Sequence, residues 1–399
     1  MLKKLAFRQL WQRPVTTALL LLIIALAVGT GVLLTSLTSG VQRALTTATE
    51  PFSLLIGSPG SAPQLVLNSV FLQDRPLLNI PYSEVDALRQ KTKLVNLAVP
   101  LAFGDSYNGY RIVGTEPAIF QVKSKPSAPE WLQVTDGRQF QGPFEAVIGS
   151  AVAKQSGLQI GSKFYSIHGV AATGGHQHKE HAFTVVGILA PTGGPYDQAV
   201  LTDISSIYAL HEKPGAPPAP KAVTAIMVEP VGYAQAYTLA AQYQNRHDVQ
   251  LVFPAQVIVQ LFNMMGRGEK LWQPFGYFVV VLAVAVVILT SYLATVTNLR
   301  NYAILQALGA TNGMLYRILL LQIGYLIVVG TALGCALGYG LYVLLAHALA
   351  SSTAVTLPLS IAPQGLLLAG ACVVTGLISG VLPIYAFRKR LQGNLSTRL

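Results

Sequence analysis

The chain has 399 residues, of which 52% are hydrophobic and only 11% charged, and its formal net charge is +11. Soluble globular domains carry about 25% charged residues, so an ordinary water-soluble enzyme is excluded. The basic residues form no stripe interleaved with aromatics, which excludes a nucleic-acid binder as well.

The charges are sorted along the chain. All 16 acidic residues lie between Glu50 and Glu269. Lys3, Lys4, Arg8, Arg13, Arg300, Arg317, Arg388, Lys389, Arg390 and Arg398 lie in short segments without carboxylates, each beside an apolar run. The stretch 38–274 keeps 17 basic against 16 acidic residues and is nearly neutral. Basic loops beside apolar spans mark the cytoplasmic side of a membrane protein, where anionic lipid headgroups attract them.

Crossing a hydrocarbon core takes about 20 apolar residues. Four stretches meet this without a single Lys, Arg, Asp or Glu: 15–37, 275–298, 318–346 and 365–387. The first is too long for the apolar core of a secretory signal and lacks a small-residue cleavage pattern, so it reads as an uncleaved anchor. The fold class expected is a membrane protein, α+β, with four transmembrane helices and a large α+β extracytoplasmic domain inserted between helices 1 and 2. Residues 1–14 form a basic cytoplasmic N-terminus, 38–274 the extracytoplasmic (periplasmic) core domain with stalk helices, and 299–317 a cytoplasmic segment. Residues 347–364 form an external loop and 388–399 a cytoplasmic tail. Cys335 and Cys372 both lie in predicted spans, so the external domain has no disulfide framework and relies on an apolar core.

Within the external stretch, Val41 to Leu45 continues the helical spacing of the first span as a stalk. Leu55 to Phe71 reads as a turn leading into an apolar helical run, either the start of the domain or a contact loop. Short strands are predicted at Arg111–Gly114, Glu145–Gly149, Phe183–Leu189 and Ala222–Val228, bounded by Gly, Pro and Asp. Helices are predicted at Ser83–Thr92, Ser150–Gly157 and Tyr233–Arg246. Lys213–Lys221 is a proline-rich linker, and Pro254–Lys270 an amphipathic helix returning to the membrane. No nucleophile–base constellation is visible.

Four of the seven histidines, His168, His176, His178 and His181, fall within one short stretch that also holds Glu180. Neutral imidazoles with a carboxylate suit zinc, copper or nickel, and zinc fits an external site without thiolates. The alternative is a solvated hairpin tip that binds nothing specifically. Pro191–Asp197 reads as a tight turn.

The segment Asn298–Gln322 reads NLRNYAILQALGATNGMLYRILLLQ: a short helix, a break at Gly309-Ala310, and a second helix entering the third span. Ala303, Ile304, Leu305, Ala307, Leu308, Gly309 and Ala310 resemble the signature of MacB/FtsX-like ABC transporter permeases. Asn301 stands where that pattern has Glu, and Gln306 where it has a basic residue. Ala146–Phe164 and Phe183–Pro191 are similar to the extracytoplasmic core domain of the same family. The resemblance implies a non-catalytic permease subunit, a homodimer, and a separate cytoplasmic ATPase that uses ATP. It further implies envelope export or lipoprotein-type extraction, with periplasmic or outer-membrane partners, in the bacterial inner membrane with both termini cytoplasmic. The alternative is a non-transporting sensor or scaffold. No G-x-x-x-x-G-K-[ST] phosphate loop occurs in this chain, in keeping with a separate ATPase. Asn301, Tyr302, Leu305, Gln306, Leu308 and Gly309 are the expected ATPase-coupling residues, with Tyr302, Leu305 and Leu308 forming an apolar face.

Gly330, Gly334 and Gly338 in the third span, and Gly376 and Gly380 in the fourth, repeat a small residue every fourth position. This spacing is expected to pack the third and fourth spans against each other, as antiparallel neighbours joined by a short loop, in preference to the alternative of an intersubunit seam. No ionisable carboxylate, Lys or Arg lies inside a span, which argues against an ion pathway.

Overall fold

The computed structural model describes residues 7–8, 10–11, 14–73, 75–125, 127–169, 180–212, 220–264, 309–353, 356–360 and 363–379, with 278, 281, 285 and 289. Span 275–298, the segment 301–308, His176, His178, Gly380 and the linker 213–219 lie outside the described residues apart from those four positions. The chain divides into two compact units, residues 1–41 with 266–347 and 358–399, and residues 42–265 with 348–357.

The first unit is helical. Helix α1 (Pro14–Thr49) runs 36 residues without a break, continuing past the expected span through the stalk region. Among the described residues it is one of two helices long and apolar enough to cross a membrane; the other lies within α7 (Asn312–Thr353). A shorter apolar helix, α8 (Pro363–Ser379), follows. Ile24, Val28 and Val32 of α1 meet Ile323 and Ile327 of α7 and Ala369 and Cys372 of α8 in one buried cluster.

The glycine spacing on α7 has a different partner from the one expected. A Cβ on Gly338 would lie 2.4 Å from the Gly29 carbonyl oxygen, and one on Gly334 would lie 2.8 Å from the Ala25 oxygen. Gly330 faces Ile24. The stripe therefore meets α1 rather than the fourth span, Gly334 and Gly338 at its backbone and Gly330 at the Ile24 side chain. Gly376 of α8 does approach α7, at the side chain of Ile327.

The second unit is built on an 11-stranded sheet covered on both faces. Its main order, named by first and last residue, is β13 (Gln250–Val252), β1 (Leu54–Gly57), β12 (Ala225–Pro230), β3 (Val95–Tyr107), β4 (Tyr110–Thr115), β10 (Ala199–Asp203), β6 (Glu145–Ile148), β9 (Phe183–Leu189) and β5 (Val134–Gly137). Strands β7 (Lys163–Phe164) and β8 (Ile167–His168) pair onto β9 and β3. Successive strand residues point to opposite faces, and the core divides accordingly. Leu55, Val99 and Leu101 enter one cluster, while Leu54, Ile56, Ala98 and Ala102 enter the other.

The predicted strand Ala222–Val228 is two strands. β11 (Ala222–Val223) pairs with β2 (Ile80–Pro81), and after Thr224 the chain joins β1 and β3 as β12. The run from Leu55 is strand β1, fully buried between β13 and β12, followed by helix α2 (Ala62–Ser69), capped by Ser61 and buried through Leu65 and Val66, so it opens the domain core. Further helices are α3 (Ser83–Arg89), α4 (Ser150–Ser156), α5 (Ile204–His211) and α6 (Tyr233–Tyr243); residues 254–264 of the expected amphipathic helix are helical as well, and 265–270 lie outside the described residues. Helix α4 stops at Gly157, which takes the left-handed conformation at φ 72°.

Candidate metal centre and docked loop

The long strand β3 serves two partners, and its register sets the first site. Asn108 and Gly109 both have positive φ (47° and 86°), as a two-residue hairpin turn requires. The turn pairs Tyr107 with Tyr110 and Ser106 with Arg111, but Phe103 pairs with Val113. One extra residue is therefore accommodated at Gly104-Asp105, a β-bulge of the kind that re-aims a side chain. Asp105 is fully buried, and β8 sets His168 directly opposite it.

The third member arrives by helix packing. Asp203 caps α5 by accepting a hydrogen bond from the Ser205 amide at 2.9 Å. The helix lies close on β4 because Gly114 has no side chain; a Cβ there would sit 2.4 Å from Cγ1 of Ile207. This brings the last residue of α5, His211, beside His168.

His168 Nδ1 lies 3.2 Å from Asp105 Oδ1, and His211 Nε2 lies 3.3 Å from His168 Nδ1 and 3.9 Å from Asp105 Oδ1. His211 Nδ1 lies 2.8 Å from the Ile207 carbonyl oxygen. A carbonyl only accepts, so Nδ1 carries a proton; in the neutral form of the ring the lone pair is then on Nε2, the nitrogen near the other two groups. The His168 and His211 side chains are 57% and 39% exposed, so the cluster opens to solvent above a buried carboxylate. Asp105, His168 and His211 are the one such group, among the described residues, that could hold a cation.

Of the residues singled out in the sequence, His168 alone enters this group. His181 instead stacks on Phe144, with ring centroids 4.7 Å apart and planes 9° from parallel. Glu180 sits in an exposed turn. His176 and His178 lie outside the described residues, as do Asn301, Tyr302, Leu305, Gln306 and Leu308; Gly309 is described, with φ 94°. Sequence reasoning missed Asp105 and His211. The signal for Asp105 was a carboxylate following a glycine within an apolar strand. His211 carried none, because a histidine at the end of an amphipathic helix is unremarkable.

The second feature is the turn Pro191–Asp197. The Asp197 carboxylate accepts from the Thr192 amide at 2.7 Å, the Thr192 hydroxyl at 2.9 Å and the Gly193 amide at 2.9 Å. Burial pushes the Asp197 carboxyl above its ordinary value despite these donors. The turn holds the Gly193 carbonyl toward Thr356, in the segment 348–357 that belongs to the same unit. That segment connects α7 with α8.

Among the described residues, two helices long and apolar enough to cross a membrane accompany a large α+β domain. Residues 17–265 match the MacB-like periplasmic core domain, and residues 275–391 match the FtsX-like permease C-terminal domain. The chain therefore belongs to the MacB/FtsX family, whose architecture is that of ABC transporter permeases and generally non-catalytic. No curated protein matched it.

Proposed function

We propose that this chain is the membrane subunit of a homodimeric ABC complex in the bacterial inner membrane, with both termini cytoplasmic. It passes ATP-driven motion from a separate ATPase to its periplasmic domain. The work done there is envelope export or lipoprotein-type extraction, with a periplasmic or outer-membrane partner. The observation that carries this reading is the docked segment. Thr356, between α7 and α8, is hydrogen-bonded to the Asp197-held turn of the sheet domain. A tilt of the α7–α8 hairpin would then be felt by the sheet domain at that turn, as well as through the stalk part of α1. In physical terms, nucleotide binding biases a two-state helix arrangement, and these connections convert it into domain displacement.

Tyr302, Leu305 and Leu308 supply an apolar face for the ATPase groove, with Asn301, Gln306 and Gly309 around it. Since Asn301 and Gln306 are uncharged, docking rests on apolar contact and is insensitive to moderate salt. The test is ATP turnover by the complex in proteoliposomes. Leu305→Asp and Leu308→Asp should abolish stimulation of the ATPase by this chain, and a hydrolysis-deficient ATPase should stop transport. Full transport with that ATPase would sink the reading. It would favour instead a non-transporting sensor or scaffold, for which the solvent-open Asp105, His168 and His211 group is the supporting observation.

A further inference from the structure

We infer that Asp105, His168 and His211 form a binding site for a divalent zinc-type cation on the external domain, with an open fourth position. The inference does not depend on the coupling reading, since a chain that fails to stimulate an ATPase could still bind the cation.

The distances favour coordination. Zinc bonds of about 2.0–2.1 Å in a tetrahedron place neighbouring ligand atoms about 3.3 Å apart. The three donors are 3.2, 3.3 and 3.9 Å apart. Only the longest needs adjustment, and a small rotation of the half-exposed His211 ring supplies it. Two imidazole nitrogens and one carboxylate oxygen select a borderline cation; magnesium and calcium prefer oxygen throughout.

Orientation is built in as well. The Ile207 carbonyl accepts the hydrogen bond from His211 Nδ1, so that Nε2 is the ligating nitrogen, the outer-sphere arrangement usual for metal-bound histidine. Asp105 is held by the bulge in β3, at a position with no side-chain exposure. His168 and His211 face solvent, so a cation can enter and a water or a donor from another molecule can complete the tetrahedron. Binding would tie β8 to the end of α5.

The test uses the full-length chain in detergent. Zinc is titrated against a chromogenic chelator, and cobalt is used to read ligand-field bands. The expected result is one equivalent of zinc per chain, tetrahedral cobalt bands, and a melting temperature that rises with zinc. His168→Gln and His211→Gln, both at exposed positions that leave the fold intact, should each weaken binding at least 10-fold and remove the cobalt bands. The double substitution His176→Ala/His178→Ala should retain both signals. Absence of stoichiometric zinc binding would overturn the inference. So would binding that survives His168→Gln and His211→Gln but disappears with His176→Ala/His178→Ala.

Discussion

Thr356 donates twice to one oxygen: its amide and its hydroxyl both reach the Gly193 carbonyl, at 3.1 and 2.9 Å. Gly193 has φ 71°, and a Cβ there would meet the Thr356 hydroxyl at 2.6 Å. The turn is thus shaped around the segment that docks on it. Gly193→Ala should cost roughly 1–2 kcal/mol from the left-handed backbone alone and displace Thr356. Thr356→Val removes one hydrogen bond and should cost about 0.5–1 kcal/mol. Hydrogen exchange over residues 356–360 should quicken in both variants, more in the first. Unchanged protection in Gly193→Ala would show that the contact holds nothing in place.

Asp197 gives this turn an unusual pH response. Its folded pKa is raised, chiefly by burial, so the folded chain holds the proton more tightly than the unfolded one. Stability from this group is greatest at acid pH and falls as pH rises from the ordinary aspartate value, about 3.9, through the folded value. Asp197→Asn removes that slope and also loses an acceptor for the turn. Denaturation across this range should show wild type losing stability relative to the variant as pH rises. The opposite trend would mean that the three donated hydrogen bonds outweigh burial.

Glu145 behaves in the reverse sense. Arg138 grips its carboxylate with both guanidinium nitrogens, and the Gln141 amide adds a bond at 2.8 Å. Its pKa falls to about 2, with the Arg138 hydrogen bond as the largest cause. The stabilisation is complete above the ordinary glutamate value of about 4.3 and is lost as pH falls toward the folded value. In Arg138→Met, acid unfolding should begin at higher pH, and the gap from wild type should close near the acid end. A gap independent of pH would assign the effect to packing of the arginine stem.

The glycines of α7 allow a controlled comparison on one helix. A Cβ on Gly338 would collide with the Gly29 backbone, whereas one on Gly340 meets nothing within 4 Å among the described residues. Gly338→Ala should destabilise the helical unit by roughly 1–3 kcal/mol through overpacking. Gly340→Ala should be neutral or slightly stabilising, since alanine favours the helix by about 1 kcal/mol. Melting of both variants in the same detergent checks this; equal effects would remove the case for close backbone contact.

These positions also show how far the sequence could be read. Spacing by four placed Gly330, Gly334 and Gly338 on one helical face, because periodicity is a local property of the helix. It carried no information on which helix that face meets, and α1 rather than the fourth span is the partner. The predicted strands at 111–114, 145–149 and 183–189 coincide with β4, β6 and β9, where local alternation and turn residues agree with the sheet. The stretch 222–228 divides at Thr224 because its two ends pair with different strands, a matter of long-range partnership.

The sequence by itself determined the class: charge sorted around long apolar runs, a large nearly neutral insert, and the family signature around Gly309. It also pointed to His168. Only the tertiary structure decided what His168 stands beside. Asp105 is 63 residues away and His211 is 43 residues away. A hairpin register, a one-residue bulge and a helix laid over Gly114 bring all three together. Sequence proximity had favoured His176, His178 and His181, but ligand geometry depends on distance through space, which strand pairing and helix packing set.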